Sequence, residues 1–249
     1  TAWLALLAGG TLLWGLSLRL RNASIADVAW GPAFVVACGV YVPAGHWTAR
    51  GLLVGALTTV WALRLAAHIG LRNIGHGEDP RYQAWRTQHG DRWWWRSLFQ
   101  VFVLQATIAW VVSWPLGAAA RTDSPALGWL DAAGTLVTLA GLGFEAVADW
   151  QLRRFKADPQ ARGRVMDRGL WRYSRHPNYF GEAVVWWGLW IVALATPGGW
   201  MTALSPALMT YLLLRVSGVT LLEQSLSSRP GYADYVRRTS AFVPRPPQG

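Results

Sequence analysis

The residues best equipped for chemistry crowd residues 167–182, DRGLWRYSRHPNYFGE. Asp167, Arg168, Arg172, Arg175 and His176 fill its first half. Pro177 then opens a helix carrying Asn178 and, one turn on, Glu182. Other polar faces recur along the chain. Arg64, His68 and Arg72 stand at i, i+4 and i+8, on one side of a helix. Glu145, Asp149 and Arg153 repeat the four-residue step, and Arg215 is followed two turns on by Glu223. Within an apolar span such groups need a partner, a water-filled cavity or a role. Arginines outnumber carboxylates once Arg164, Arg168, Arg172 and Arg175 join, and guanidinium pairs bidentately with phosphate. The set therefore suits a bound polyanion. Taken singly, Arg64–Glu182 or Arg215–Asp149 reads equally well as an inter-helix ion pair, and each loop arginine as a topology or headgroup contact.

The elements that must position these residues are membrane helices. Of 249 residues, 53% are hydrophobic and only 14% charged, against about a quarter charged in a soluble domain. The 18 tryptophans suit membrane–water interfaces. A crossing helix needs about 20 apolar residues. Seven stretches qualify: 3–20, 25–42, 51–71, 98–118, 127–148, 178–195 and 200–222. The first lacks a basic start and a small-residue cleavage site, so it reads as a retained helix. The Gly31-Pro32 pair predicts a kink in the second. Residues 72–97 read as a long polar loop, in which Trp93, Trp94 and Trp95 between Arg92 and Arg96 suit an interfacial helix. The fifth span runs on into a charged helical extension, 149–156. The expected fold is all-α, a polytopic integral membrane protein of seven transmembrane helices in a single domain, 1–249. Alternate loops differ sharply in arginine content. Positive-inside bias then puts the N-terminus outside and the C-terminus in the cytoplasm. In that orientation all four polar faces point toward one cytoplasm-facing cavity.

Several classes fall away. The net charge of +10 invites nucleic acid, but the arginines lie in loops between apolar spans rather than along one soluble face. Cys38 is alone, so no disulfide framework exists. His46, His68, His76, His89 and His176 form no HxxxH, HxxHH or HExxH box, which argues against a metal centre. Gly75 and Gly77 follow a helix rather than a strand, and no GxxxxGK[ST] occurs, so no familiar phosphate loop is present. Tyr232 and Tyr235 read as a packed tail helix.

The segments SIADVAWGPAF, WALRLAAHIGLRNIGHGEDPRYQAWR, GLWRYSRHPNYFGE and RPGYADYVRRTSAFVP, with Arg215 and the LLE ending at Glu223, resemble the steroid 5-alpha-reductase-like membrane proteins. The likeness covers nearly the whole chain and points to the bacterial branch, hence to a bacterial inner membrane. RHPxYxG also occurs in isoprenylcysteine carboxyl and phospholipid methyltransferases, where it holds S-adenosylmethionine. Here the motif continues to Glu182. The resemblance implies a seven-helix bundle holding NADPH in a cytoplasm-facing cavity. Asn178 and Glu182 would hold the nicotinamide carboxamide. Asp149, Lys156, Arg164, Arg64 and Arg215 would line the ribose and phosphate path, and His68, Arg72, Glu223 and Arg175 would stand close to the cofactor. The reductases hold a substrate ketone with a Gln-Glu pair and a Tyr, where this chain has Ala29-Trp30 and Trp61. The expected activity is NADPH-dependent reduction of a carbon–carbon double bond in a lipid-soluble substrate, with Asp27 or His68 as the acid near the substrate oxygen. An S-adenosylmethionine-dependent lipid methyltransferase and a non-enzymatic lipid-binding protein are the competing readings.

Overall fold

A computed structural model describes residues 1–123, 126–216, 219, 223 and 229–248. Every regular element among the described residues is helical, with no strand among them. They form two compact units, Thr1–Gly128 with Ala193–Thr202, and Trp129–Val192 with Ala203–Gly249.

In the first unit, α1 (Ala2–Leu20) ends where Arg21 turns left-handed, its N–H reaching back to Leu18. Helix α2 (Ile25–Ala44) packs on α1 and on α3 (Ala49–Asn73). The helix continues through Pro32. Gly31 serves a close approach: a Cβ there would sit 2.6 Å from the Ala62 carbonyl oxygen. Thr48 caps α3, its hydroxyl accepting the Gly51 N–H at 3.1 Å.

The stretch expected as a polar loop is mostly helix. α4 (Pro80–His89), a 3₁₀ turn (Gly90–Arg92) and α5 (Trp93–Ser97) lead through a π turn (Leu98–Val103) into α6 (Leu104–Val112). Together they make one helical run, Pro80–Val112. The run stops at Ser113 because Pro115 lacks the N–H that would continue it; Pro115 instead starts α7 (Trp114–Ala119).

In the second unit, α8 (Trp129–Ala157) runs unbroken through the charged extension. Short 3₁₀ turns, Pro159–Ala161 and Gly169–Arg172, precede α9 (Pro177–Ala193). α10 (Leu204–Tyr211), a π turn (Leu212–Val216) and α11 (Tyr232–Arg238) complete it.

Among the described residues, five helices are long and apolar enough to cross a membrane: α1, α2, α3, the Pro80–Val112 run and α8. The chain is a multi-pass membrane protein. The sixth expected span corresponds to α9, of 17 residues. The seventh, 200–222, begins in a 3₁₀ turn (Gly199–Ala203) and α10, and most of it past Val216 lies outside the described residues, as do Leu221 and Leu222 of the LLE stretch.

Candidate functional site

In the first unit the polar chemistry converges on two short segments, 22–27 and 77–86. The Ala23 N–H donates to Glu78 Oε1 at 2.7 Å, and the Asp79 N–H to Ser24 Oγ at 2.7 Å. Asp79 caps α4 by accepting the Arg81 N–H. Arg86 makes a two-pronged contact with Glu78, at 2.9 and 2.8 Å. Beneath this clamp lie Ala23, Ala26, Tyr82, Trp93, Val101 and Phe102, an apolar cluster that excludes water from one side of it. Burial pushes the Glu78 pKa upward, but Arg86 and the Ala23 N–H outweigh it and hold the carboxyl below its ordinary value. Burial acts likewise on Asp79, and hydrogen bonds from Arg81 again carry its pKa downward.

Asp27 belongs to this clamp. Its Oδ2 accepts Arg81 Nη2 at 2.7 Å and its Oδ1 accepts the Tyr82 hydroxyl at 2.6 Å. Both carboxylate oxygens are therefore engaged within the chain. On α3, Arg64 and His68 are half-buried and Arg72 is exposed, with Nε donating to Asn73 Oδ1 at 3.3 Å. Trp30 and Trp61 stack edge-on against Phe34, at 5.2 and 5.6 Å between ring centres, and Phe34 and Trp61 are wholly buried.

In the second unit, α8 and α9 meet backbone to backbone. A Cβ on Gly141 would meet the Val185 nitrogen at 2.7 Å, one on Gly181 the Glu145 nitrogen at 2.6 Å, and one on Gly188 the Thr138 nitrogen at 2.5 Å. This antiparallel seam brings Glu145 and Asp149 beside the first turn of α9. Asn178 Nδ2 donates to Asp149 Oδ1 at 3.1 Å, while Asn178 Oδ1 is buried without a hydrogen-bond partner. Glu145, Asp149 and Glu182 are all buried. Asp149 and Asn178 are thus brought together. Glu145 was legible as one turn before Asp149, but only the seam shows it facing Gly181.

The approach to α9 is built by the C-terminal tail. The Ser174 hydroxyl donates to the Phe242 carbonyl at 2.7 Å, the Arg175 N–H to Ser240 O at 2.8 Å, and the Tyr235 hydroxyl to Trp171 O at 2.5 Å. Arg238 pairs with Asp167 at 2.7 Å. The expected packed tail helix is α11, and both its tyrosines are buried.

Arg175 and Glu223 were expected beside a cofactor; here they hold each other. Arg175 Nε donates to Glu223 Oε1 at 2.8 Å, and its Nη1 to the Val236 and Thr239 carbonyls. That guanidinium pins the tail. His176 lies against the same carboxylate at 3.3 Å and stacks on Tyr179. Burial lowers its pKa to about 4, despite the opposing pull of Glu223. It is therefore neutral at neutral pH. Lys156, Arg164 and Arg215 are exposed.

No group of three or more His, Cys, Asp or Glu that could hold a metal ion occurs among the described residues. No curated protein and no solved structure matches the chain. One family does, over residues 13–239, with the description "Protein of unknown function (DUF1295)". That match spans most of the sequence, and the chain belongs to the DUF1295 family.

Proposed function

We propose that the chain is an NADPH-dependent reductase of a carbon–carbon double bond in a lipid-soluble substrate, built as a steroid 5-alpha-reductase-like protein. It would cross the membrane seven times, with its N-terminus outside and its C-terminus in the cytoplasm. The observation that carries this reading is Asn178 Oδ1, a buried acceptor without a donor, on a side chain already oriented by Asp149. A buried acceptor left unmade costs about 1–3 kcal/mol. A nicotinamide carboxamide brings the N–H this atom lacks, so the residues present fit the group.

Asn178 and Glu182 hold that carboxamide. Lys156, Arg164 and Arg215, all exposed, offer guanidinium and ammonium donors to the phosphates, with Asp149 toward a ribose. When bound, the dinucleotide supplies a hydride to the electron-poor carbon of the substrate. The chain must then stabilise charge developing on the substrate oxygen. Asp27 or His68 would take that role, as the resemblance implies. Ala29, Trp30 and Trp61 stand at the positions where the resembling reductases bind a ketone, so the substrate is a sterol-like ring, an isoprenoid or a modified acyl chain rather than a steroid ketone held in the same way.

Thermal melting of detergent-purified protein tests the cofactor. A ligand that binds only the native state raises the melting temperature. NADPH is expected to raise it, and the Glu182→Gln variant to lose the shift. A shift with S-adenosylmethionine alone would replace this reading with a methyltransferase. No shift with either would leave a lipid-binding protein.

A further inference from the structure

The outer face of α8 carries a second polar arrangement, away from the seam. Trp129, Leu136, Leu139, Val147 and Trp150 are exposed and follow helical spacing along one stripe. Gly134, Gly141 and Glu145 line the other side, against α9. Trp129 is 76% exposed and Trp150 is 49% exposed. At an α-helical rise they lie about 31 Å apart, close to the roughly 30 Å thickness of bilayer hydrocarbon. A tryptophan at each end of a lipid-facing stripe marks the two interfacial belts. The turns of α8 beyond Trp150 therefore stand at headgroup depth.

An open hollow of 540 Å³ lies there. Arg154 and Arg168 line it, with Gln151, Phe155 and Gly169. The Arg154 guanidinium lies 5.5 Å from the centre of the Trp150 ring. Gly169 is required in this wall: its φ is +59°, and a Cβ would meet the Gln151 carboxamide at 2.5 Å. The Leu170 N–H donates to Gln151 Oε1 at 2.9 Å, which fastens the loop of Arg168 to the helix of Arg154. Asp158, at the rim, is turned to the Gln160 N–H at 2.9 Å.

We propose that this hollow seats the phosphate of an anionic phospholipid headgroup. Arg154 and Arg168 take the phosphate oxygens, and the Trp150 ring covers the glycerol and first acyl carbons. A soluble phosphate ester offers the same oxygens to the two guanidiniums. Only a lipid also covers the half-exposed indole at this depth. Arg154 points away from Glu145 by half a helical turn, so this site is separate from the seam and independent of the reductase reading.

Native mass spectrometry of the full chain, released from nanodiscs of phosphatidylglycerol or phosphatidylcholine, tests the proposal. The wild type is expected to retain phosphatidylglycerol in preference to phosphatidylcholine. Arg154→Ala with Arg168→Ala is expected to lower retention about tenfold, as charge-assisted hydrogen bonds are lost. Trp150→Ala, which spares both charges, is expected to lower it about threefold. Arg121→Ala removes an exposed arginine paired with Asp123 elsewhere and serves as the control, with retention unchanged. Wild-type retention in the double variant would overturn the proposal. So would equal retention of phosphatidylcholine, or full displacement of the lipid by excess glycerol phosphate, which would mark a soluble phosphate site.

Discussion

The clamp between segments 22–27 and 77–86 and the seam between α8 and α9 are both polar, buried in part, and built on short helical spacings. They differ in what is left over. In the clamp, Glu78, Asp79, Ser24 and Asp27 all find donors or acceptors within the chain. In the seam, Asn178 gives its N–H to Asp149 and keeps an unfilled acceptor. A satisfied network of buried polar groups fixes a structure, whereas one with an open valence is arranged for something else to complete it.

Substitutions in the clamp and in the seam should behave differently. The largest effect is expected at Gly181. A leucine there drives into the Glu145 backbone, where even a Cβ has only 2.6 Å, and should cost about 3 kcal/mol or more. A thermal melt reads this, and an unchanged melting temperature would show that the seam is not tight. Next comes the clamp. Glu78→Ala strands Arg86 and the Ala23 N–H and should cost about 2 kcal/mol. Its NADPH-induced shift should persist, because the clamp completes itself; loss of that shift would show that the clamp takes part in cofactor binding.

Asn178→Ala should do the reverse. Its own stability should hold within about 1 kcal/mol, while NADPH affinity falls about tenfold in a direct titration. Tyr235→Phe removes the hydroxyl donated to Trp171 and should cost about 1 kcal/mol in the same melting assay.

The smallest expected effect near neutral pH is a pH dependence from His176. Its folded pKa of about 4 lies below the ordinary 6.5. Between those values the unfolded chain binds the proton and the folded chain does not, so stability falls as pH falls. The loss should be about 1 kcal/mol at pH 6 and grow toward pH 4. His176→Gln should flatten this part of the melting profile. Glu78 and Asp79, whose pKa values are lowered, add a further loss at more acidic pH, as the unfolded chain takes up those protons first.

Much of the fold was legible because a chain in lipid must satisfy its backbone within each helix, which writes long apolar runs into the sequence. α1, α2, α3 and α8 fall where hydropathy puts them. The polar stretch 72–97 was misread as a loop for the opposite reason. Its apolar content is low, and its helix is held by distant partners: Ser24 on Asp79, Ala23 on Glu78 and Asp27 on Arg81. The Gly31 approach to Ala62 was likewise invisible, since a glycine before a proline reads first as a kink.

The sequence alone determined the membrane class, the helical class, the four-residue spacing of Glu145 with Asp149 and of Asn178 with Glu182, and the family likeness. All but the last, which rests on motifs, follow from periodicity and composition, which are local. Tertiary structure decided which polar groups are finished and which are open. It closed Asp27 with Arg81 and Tyr82, and Arg175 with Glu223. It also set Gly181 against Glu145, placing Asn178 beside Asp149. Satisfaction of a hydrogen bond depends on a partner far along the chain, and no local pattern encodes that distance.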